Sequence, residues 1–319
     1  MKKTVTILAI FALLFTTLTA QDRNDVVNAY NEGAKASKTD IIAAIASFEN
    51  VITLADKVGE SAADLKQKAV QVLPGLYFKV AYSALNEKKP AQEIIQSAKA
   101  AIAASDKYGS ASNKTNAQKV LLQGYINLGG EYFSKNEYEN ALAVYDTVLS
   151  LSPDNTNAIY NKSLIYIKQN NPVAVEQNTD LLLEKLKGGK DTIRAKQAST
   201  MALEYFRSAG SQASQAEKLD DALVLLTKAS KYGEDKDLYY YYADVYNKQK
   251  NFDKGAESAQ KGLSMETGTP EAKAKFYFQL GLAQEGKGQT AEACTSFKNS
   301  LFGAFAEPSK AKRTNLKCK

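Results

Sequence analysis

Few residues in this chain are of a type and spacing that could do chemistry. "GLAQEGKG", residues 281–288, stops one position short of the phosphate-binding loop G-x4-G-K-[ST]. In that loop, backbone amides and a lysine hold phosphate oxygens, and a Ser or Thr hydroxyl binds magnesium. Here Gly288 takes the place of that hydroxyl. The loop also needs a strand before it, and the preceding "KFYFQLGLAQ" has helical spacing. "KGGKD", residues 187–191, reads as a helix-ending turn. There is no histidine, so neither Cys294 nor Cys318 has an imidazole base. Two cysteines cannot supply the four nitrogen or sulfur ligands of a structural zinc. No G-x-S-x-G elbow occurs, and the carboxylates of "NEYENA" and "FDKGAES" read as solvated helix faces. No cofactor and no enzymatic activity is implied. What remains is aromatic. In "DLYYYYADVYNKQKNF", residues 237–252, four consecutive tyrosines are followed by a fifth at Tyr246. They are either a ligand surface or core filling.

Deciding between these requires the elements that carry them. The chain has 319 residues, 44% hydrophobic and 24% charged, an ordinary globular balance. Residues 1–20 stand apart. Lys2 and Lys3 precede the apolar run "TVTILAIFALLF", and small and hydroxyl residues lead to Ala20. This is the pattern of a secretory signal peptide cleaved before Gln21, a retained anchor being the alternative. The lysine-rich, histidine-free chain suits a bacterial exporter, with the periplasm or the extracellular side as destination. Past the leader the chain is only weakly basic, and its charge is dispersed, which argues against nucleic acid. The densest basic cluster lies between Lys310 and Lys319 and reads as a solvated end helix.

A repeat organises the rest. "YINLGGEYFSKNEYENALAVYDTVLSLSPDN", residues 125–155, puts Tyr125, Leu128, Gly129 and Tyr132 on one helical face. After a polar turn, Ala141, Leu142, Tyr145, Val148 and Leu149 form another, ended by Pro153. The second-helix signature recurs from Ala44, Ile94, Ala141, Val175, Ala222, Gly255 and Ala293. Phe78, Tyr125, Ile159, Phe206, Tyr239 and Tyr277 each stand sixteen residues before their partner signature. Seven helix pairs follow, near 25–55, 65–105, 116–152, 156–187, 192–232, 236–266 and 271–303. The first fits worst, with Tyr30 and Gly33 off the spacing. The polar stretches "KVGESAA", "DKYGSASNKTN" and "SQASQAEKLDD" read as long connections.

The pattern resembles the tetratricopeptide repeat, W-x2-L-G-x2-Y, then A-x3-F, then P, with Tyr125 for the tryptophan and Tyr145 for the phenylalanine. The resemblance covers nearly all of residues 21–303. It implies an all-α solenoid of antiparallel helix pairs in a right-handed superhelix, whose first helices line a concave wall that binds proteins or peptides. It also implies a scaffold and not an enzyme. The carboxylate clamp found in some relatives is missing: the matching places hold Ile126, Gly130, Asn161, Glu204 and Ser208, and only Asn161 fits. An outer-membrane assembly factor or glycan-uptake accessory is the alternative. It would bring a lipid-anchoring cysteine or, for glycans, exposed tryptophans, which are lacking here.

Within this resemblance Tyr239, Tyr242 and Tyr246 match Tyr125, Leu128 and Tyr132 and are expected in the core. Tyr240, Tyr241 and Asp244 fall on the wall, joined at equivalent places by Asn127, Tyr160, Asn161, Arg207, Phe278 and Gln279. Together these make a candidate peptide groove. The other reading is that Tyr240 and Tyr241 only pack against adjacent pairs. Solenoids need a polar cap over their last apolar face, and the basic segment 304–319 supplies one. An antiparallel end helix would return Cys318 to the height of Cys294. A disulfide there and two free thiols both remain open at this point.

Overall fold

The computed structural model describes residues 22–189 and 191–319. The expected signal peptide lies outside these residues. The described residues hold fifteen α-helices, two short 3-10 turns and no strand. They divide into two compact units, Met1–Pro153 and Asp154–Lys319.

The first unit contains α1 (Arg23–Ala36), α2 (Ile41–Val58), α3 (Ala63–Asn86), α4 (Ala91–Tyr108), α5 (Ala111–Ser134) and α6 (Tyr138–Leu151). Consecutive helices pack pairwise, and α3 also lies beside α5. Val26, Ala29, Ala44, Phe48 and Val51 form one core with Leu65, Ala69 and Leu73 of α3. In the first pair, which departs from the repeat spacing, Gly33 still faces Phe48, with room for a methyl only 3.1 Å from the ring. Gly129 faces Tyr145 in the same way. The small residue lets two helices approach until an aromatic ring fills the space between them.

The second unit contains α7 (Thr156–Lys168), α8 (Pro172–Lys185), α9 (Thr192–Gln215), α10 (Leu219–Tyr232), α11 (Lys236–Lys248), α12 (Phe252–Met265), α13 (Pro270–Gly286), α14 (Thr290–Asn299) and α15 (Ala306–Asn315). Side-chain caps start many of these helices. Asn155, Asn171, Asp191, Asp235, Asn251 and Thr269 each accept from the amide three residues on. The first helices α9, α11 and α13 lie side by side.

The stretches expected as long connections are largely helical. Residues 111–116 begin α5 and residues 211–215 end α9, each helix running 24 residues. Their Ala, Ser, Gln, Asn and Lys residues are compatible with helix, and buried Ala117, Ser211 and Ser214 anchor the added turns. Only short turns join the helices of a pair. From α3 onward each first helix ends alike. Lys88, Asn136, Asn170, Glu217, Lys250 and Gly288 adopt positive φ. The next amide then bonds back five residues, as Glu137 does to Tyr132 (2.9 Å) and Gln289 to Gln284 (2.9 Å). This left-handed stop satisfies carbonyls that the helix leaves open. "GLAQEGKG" is therefore the end of α13 and its turn, not a strand-borne phosphate loop.

The last apolar face is covered by α15. Phe278 rests between Phe297 and Phe305, ring centroids 5.8 and 5.4 Å away. Ser300 and Ser309 share a buried hydroxyl hydrogen bond of 2.6 Å. Arg313 donates to the Cys294 carbonyl (2.7 Å), and Lys312 pairs with Glu285 (2.7 Å). Cys294 and Cys318 are joined as a disulfide, their Cα atoms 5.6 Å apart.

Candidate functional site

The wall of the second unit is built from α9, α11 and α13. Asp235 caps α11 through the Leu238 amide (2.7 Å) and pairs with Arg207 of α9. Asp237 pairs with Lys275 of α13. Deeper along the wall, Asp244 accepts from the Ser214 hydroxyl (2.7 Å) and from the Gln279 amide (3.3 Å). Lys248 lies 3.4 Å from Asp244 and donates to the Ser214 carbonyl (3.0 Å). Gln279 is buried, and its side-chain oxygen accepts from Asn247 (2.9 Å). One polar chain thus ties three neighbouring first helices together, with the buried Asn247 Oδ1 left without a hydrogen-bond partner.

Tyr240 meets Phe276 of α13 edge-on at 6.2 Å and Tyr241 at 5.2 Å. The Lys275 ammonium stands 5.4 Å from the Tyr240 ring centre. Burial, followed by the Asp244 charge, raises the Tyr240 phenol above its usual pKa, while the Gln279 hydrogen bond opposes the shift. Tyr241 packs on the core shared by α9, α10 and α11.

Within the second unit the sequence-derived candidates fall into separate clusters. Tyr240, Asp244 and Gln279 come together on the wall, and Arg207 joins them through Asp235. Phe278 belongs to the packing beneath α15. Tyr160 lies under the Arg194 guanidinium at 4.6 Å, so it braces α7 against α9. Asn161 follows on α7, half-buried. Asn127 sits in the first unit and accepts from Gln123 (2.9 Å).

A pocket of about 370 Å³ opens where α11, α13 and α15 meet. Phe252 and Leu282 give it an apolar floor, and Asp244, Lys248, Glu285 and Lys312 a charged rim. Of the lining residues, Asp244 and Gln279 are candidates from the sequence. Lys248 follows Asp244 by one helical turn, a spacing that could have signalled it. Lys312 comes from α15 and has no counterpart in the repeat pattern.

The core placement of Tyr239, Tyr242 and Tyr246 needs correction. The fully buried residues of α11 are Leu238, Ala243 and Val245. The three tyrosines are only part-buried and line an open trough. The matching Tyr125, Leu128 and Tyr132 are likewise part-buried although α6 presents Tyr145 to them. Full burial in both helices falls on the small residue of the register, Gly129 or Ala243.

Among the described residues, no group of three His, Cys, Asp or Glu is placed to hold a metal ion. No described helix is long and apolar enough to cross a membrane.

Paired antiparallel helices with glycine–aromatic contacts define the class: an α-helical repeat protein. Residues 129–170 match the TPR repeat family profile. No curated protein matches the chain by sequence. Among solved structures it is similar to the MamA protein, at 24% identity over 62% of this chain and 96% of that one, TM-score 0.34. It is also similar to YrrB, described as a TPR protein with an unusual peptide-binding site. There the identity is 18% over 61% of this chain and 90% of that one, TM-score 0.36. A tetratricopeptide repeat protein from Parabacteroides merdae matches over 92% of this chain and 99% of its own, at 19% identity and TM-score 0.29.

Proposed function

We propose that this protein is a non-enzymatic scaffold that binds a protein or peptide on the first-helix wall of its second unit. The observation that carries this reading is the pocket between α11, α13 and α15, with its apolar floor and charged rim. An apolar side chain of a bound peptide fits over Phe252 and Leu282. Asp244, Lys248 and Lys312 stand where they would meet polar groups of its backbone and flanks, a division of labour seen in ligand sites generally. The wall is held by hydrogen bonds before any partner arrives, which lowers the ordering cost of binding.

The proposed compartment is the bacterial periplasm or the extracellular side. The charged start, apolar run and Ala20 of the leader support it, and so does the paired state of Cys294 and Cys318, since disulfides persist in oxidising surroundings. Fractionation with N-terminal sequencing tests this part. A chain retained in the cytoplasm with Met1 intact would overturn it.

For the binding reading, a photocrosslinking side chain is placed at Leu282 and, as a control, at exposed Ile193. A polypeptide adduct at Leu282 and none at Ile193 is the expected result. No adduct at Leu282, or equal adducts at both, would sink the reading.

A further inference from the structure

The tyrosine trough lies on a different face of α11 from the wall. Tyr239, Tyr242 and Tyr246 recur along one stripe, with ring centroids 6.3 and 5.9 Å apart. They form the floor between Thr227 of α10 and the exposed edge of α12, in an open space of about 440 Å³. From α12 the trough is lined by Lys254, Glu257, Ser258 and Lys261. Tyr242 donates weakly to Thr227 (3.5 Å), so the floor is fixed by a neighbouring helix as well as by packing.

Its rim is charged in a pattern. Lys254 stands 5.4 Å from the Tyr246 ring centre and Lys261 5.6 Å from that of Tyr239. Neither has a carboxylate within ion-pair distance among the described residues. Around them, Lys228, Lys231, Lys236, Lys248 and Lys275 all have one. Glu257 lies between the two free lysines on the same exposed edge. The rim therefore reads positive, negative, positive along the trough.

We propose that this trough is a second docking site, for an extended segment of a partner polypeptide bearing two acidic residues three positions apart. Charge complementarity carries the choice. Seven residues of helix separate Lys254 from Lys261, which is about 10 Å at 1.5 Å per residue. Three residues of polyproline II chain span about the same length, and with three residues per turn they return the side chain to the same side. Acidic side chains at those two positions meet Lys254 and Lys261, and Glu257 excludes a third acid between them. The two intervening residues lie on the tyrosine floor, where flat apolar groups such as proline rings pack well against aromatic faces. The trough is open and has no deep recess, which suits an extended strand of peptide better than a single large side chain.

The test titrates the full chain with a labelled Gly-Glu-Pro-Pro-Glu-Gly peptide and with its twin carrying glutamine for both glutamates. The glutamate peptide should bind about tenfold more tightly at low salt, and high salt should shrink that preference. Replacing both exposed lysines, Lys254→Gln with Lys261→Gln, should erase it while leaving the circular dichroism unchanged. Tyr242→Ala should weaken both peptides. Leu282→Asp, in the wall pocket, should change nothing here, so the two sites fail or stand separately. Equal binding of the twins, no binding of either, or a preference that survives the double lysine replacement would each overturn the proposal.

Discussion

Tyr145 packs against the bare Cα of Gly129, so closely that a methyl group on that glycine would stand 2.7 Å from the ring. The adjacent Gly130 has nothing within 4 Å of the same position. Two neighbouring glycines of one helix thus have opposite roles. Gly129→Ala should destabilise by about 1–3 kcal/mol through overpacking. Gly130→Ala should stabilise by up to about 1 kcal/mol through helix propensity. Urea midpoints of the two variants decide it, and a shift in the same direction for both would contradict the packing argument.

Thr179 occupies the place in α8 that Phe48, Tyr145, Leu226 and Phe297 take in their helices. It is fully buried, and its hydroxyl has no hydrogen-bond partner. A stranded hydroxyl costs about 1–3 kcal/mol. Thr179→Val keeps the shape and removes the cost, so the thermal midpoint should rise. A fall would show that the hydroxyl is satisfied in solution.

Joining Cys294 to Cys318 closes a loop of 24 residues in sequence separation. In the chain-entropy picture this stabilises by roughly 3 kcal/mol. The Cys294→Ser, Cys318→Ser protein should melt lower and exchange amide protons of α15 faster. Denatured, unreduced protein should show no free thiol, and two titratable thiols would end the idea.

Glu176 of α8 takes hydrogen bonds from Lys228 (2.6 Å) and Lys231 (3.2 Å) of α10. The Lys228 bond foremost, then that of Lys231 and both charges, holds the Glu176 carboxyl below the usual range, against burial, which raises it. A depressed carboxyl adds stability above the unfolded glutamate value of about 4.3, and that stability fades as pH falls through the lower folded value. Glu176→Gln should lower stability near neutral pH by about 1 kcal/mol and flatten the acid limb of a stability–pH curve. An unchanged acid limb would remove Glu176 from the account.

Tyr240 is held edge-on to Phe276, so Tyr240→Ala should cost about 2 kcal/mol of stability even without a partner. Replacing Tyr246, which borders the open trough, should cost less. Comparing melting temperatures of the two alanine variants tests the assignment, and the reverse order would refute it.

The sequence made the helix pairs legible because a sixteen-residue interval between an aromatic or aliphatic residue and a small one follows from helix–turn–helix geometry itself. Gly129 and Gly281 could be read as close-approach positions for the same reason. The left-handed turn residues escaped notice because Lys88, Glu217 and Lys250 are not the types that usually mark such turns. The tyrosine stripe was misplaced for a subtler reason. Tyr239, Tyr242 and Tyr246 share their register with Tyr125, Leu128 and Tyr132, and all six are part-buried, because full burial falls on the small residue between them, Ala243 or Gly129. Periodicity specifies which residues share a face. It does not specify how fully the opposing helix fills that face.

The turns that close the first helices carry one more consequence. Lys88, Asn136, Asn170, Glu217 and Lys250 hold positive φ without being glycine, a posture that costs an ordinary side chain about 1 kcal/mol. Gly288 shows that glycine fits the same bend. The protein's heat tolerance is thus limited at its corners as well as in its core. The corner at Asn170 shares no residue with the wall pocket or the tyrosine trough, whereas Lys250 sits between Lys248 and Phe252 of the pocket, so hardening that bend would also set the surface on which a partner would rest.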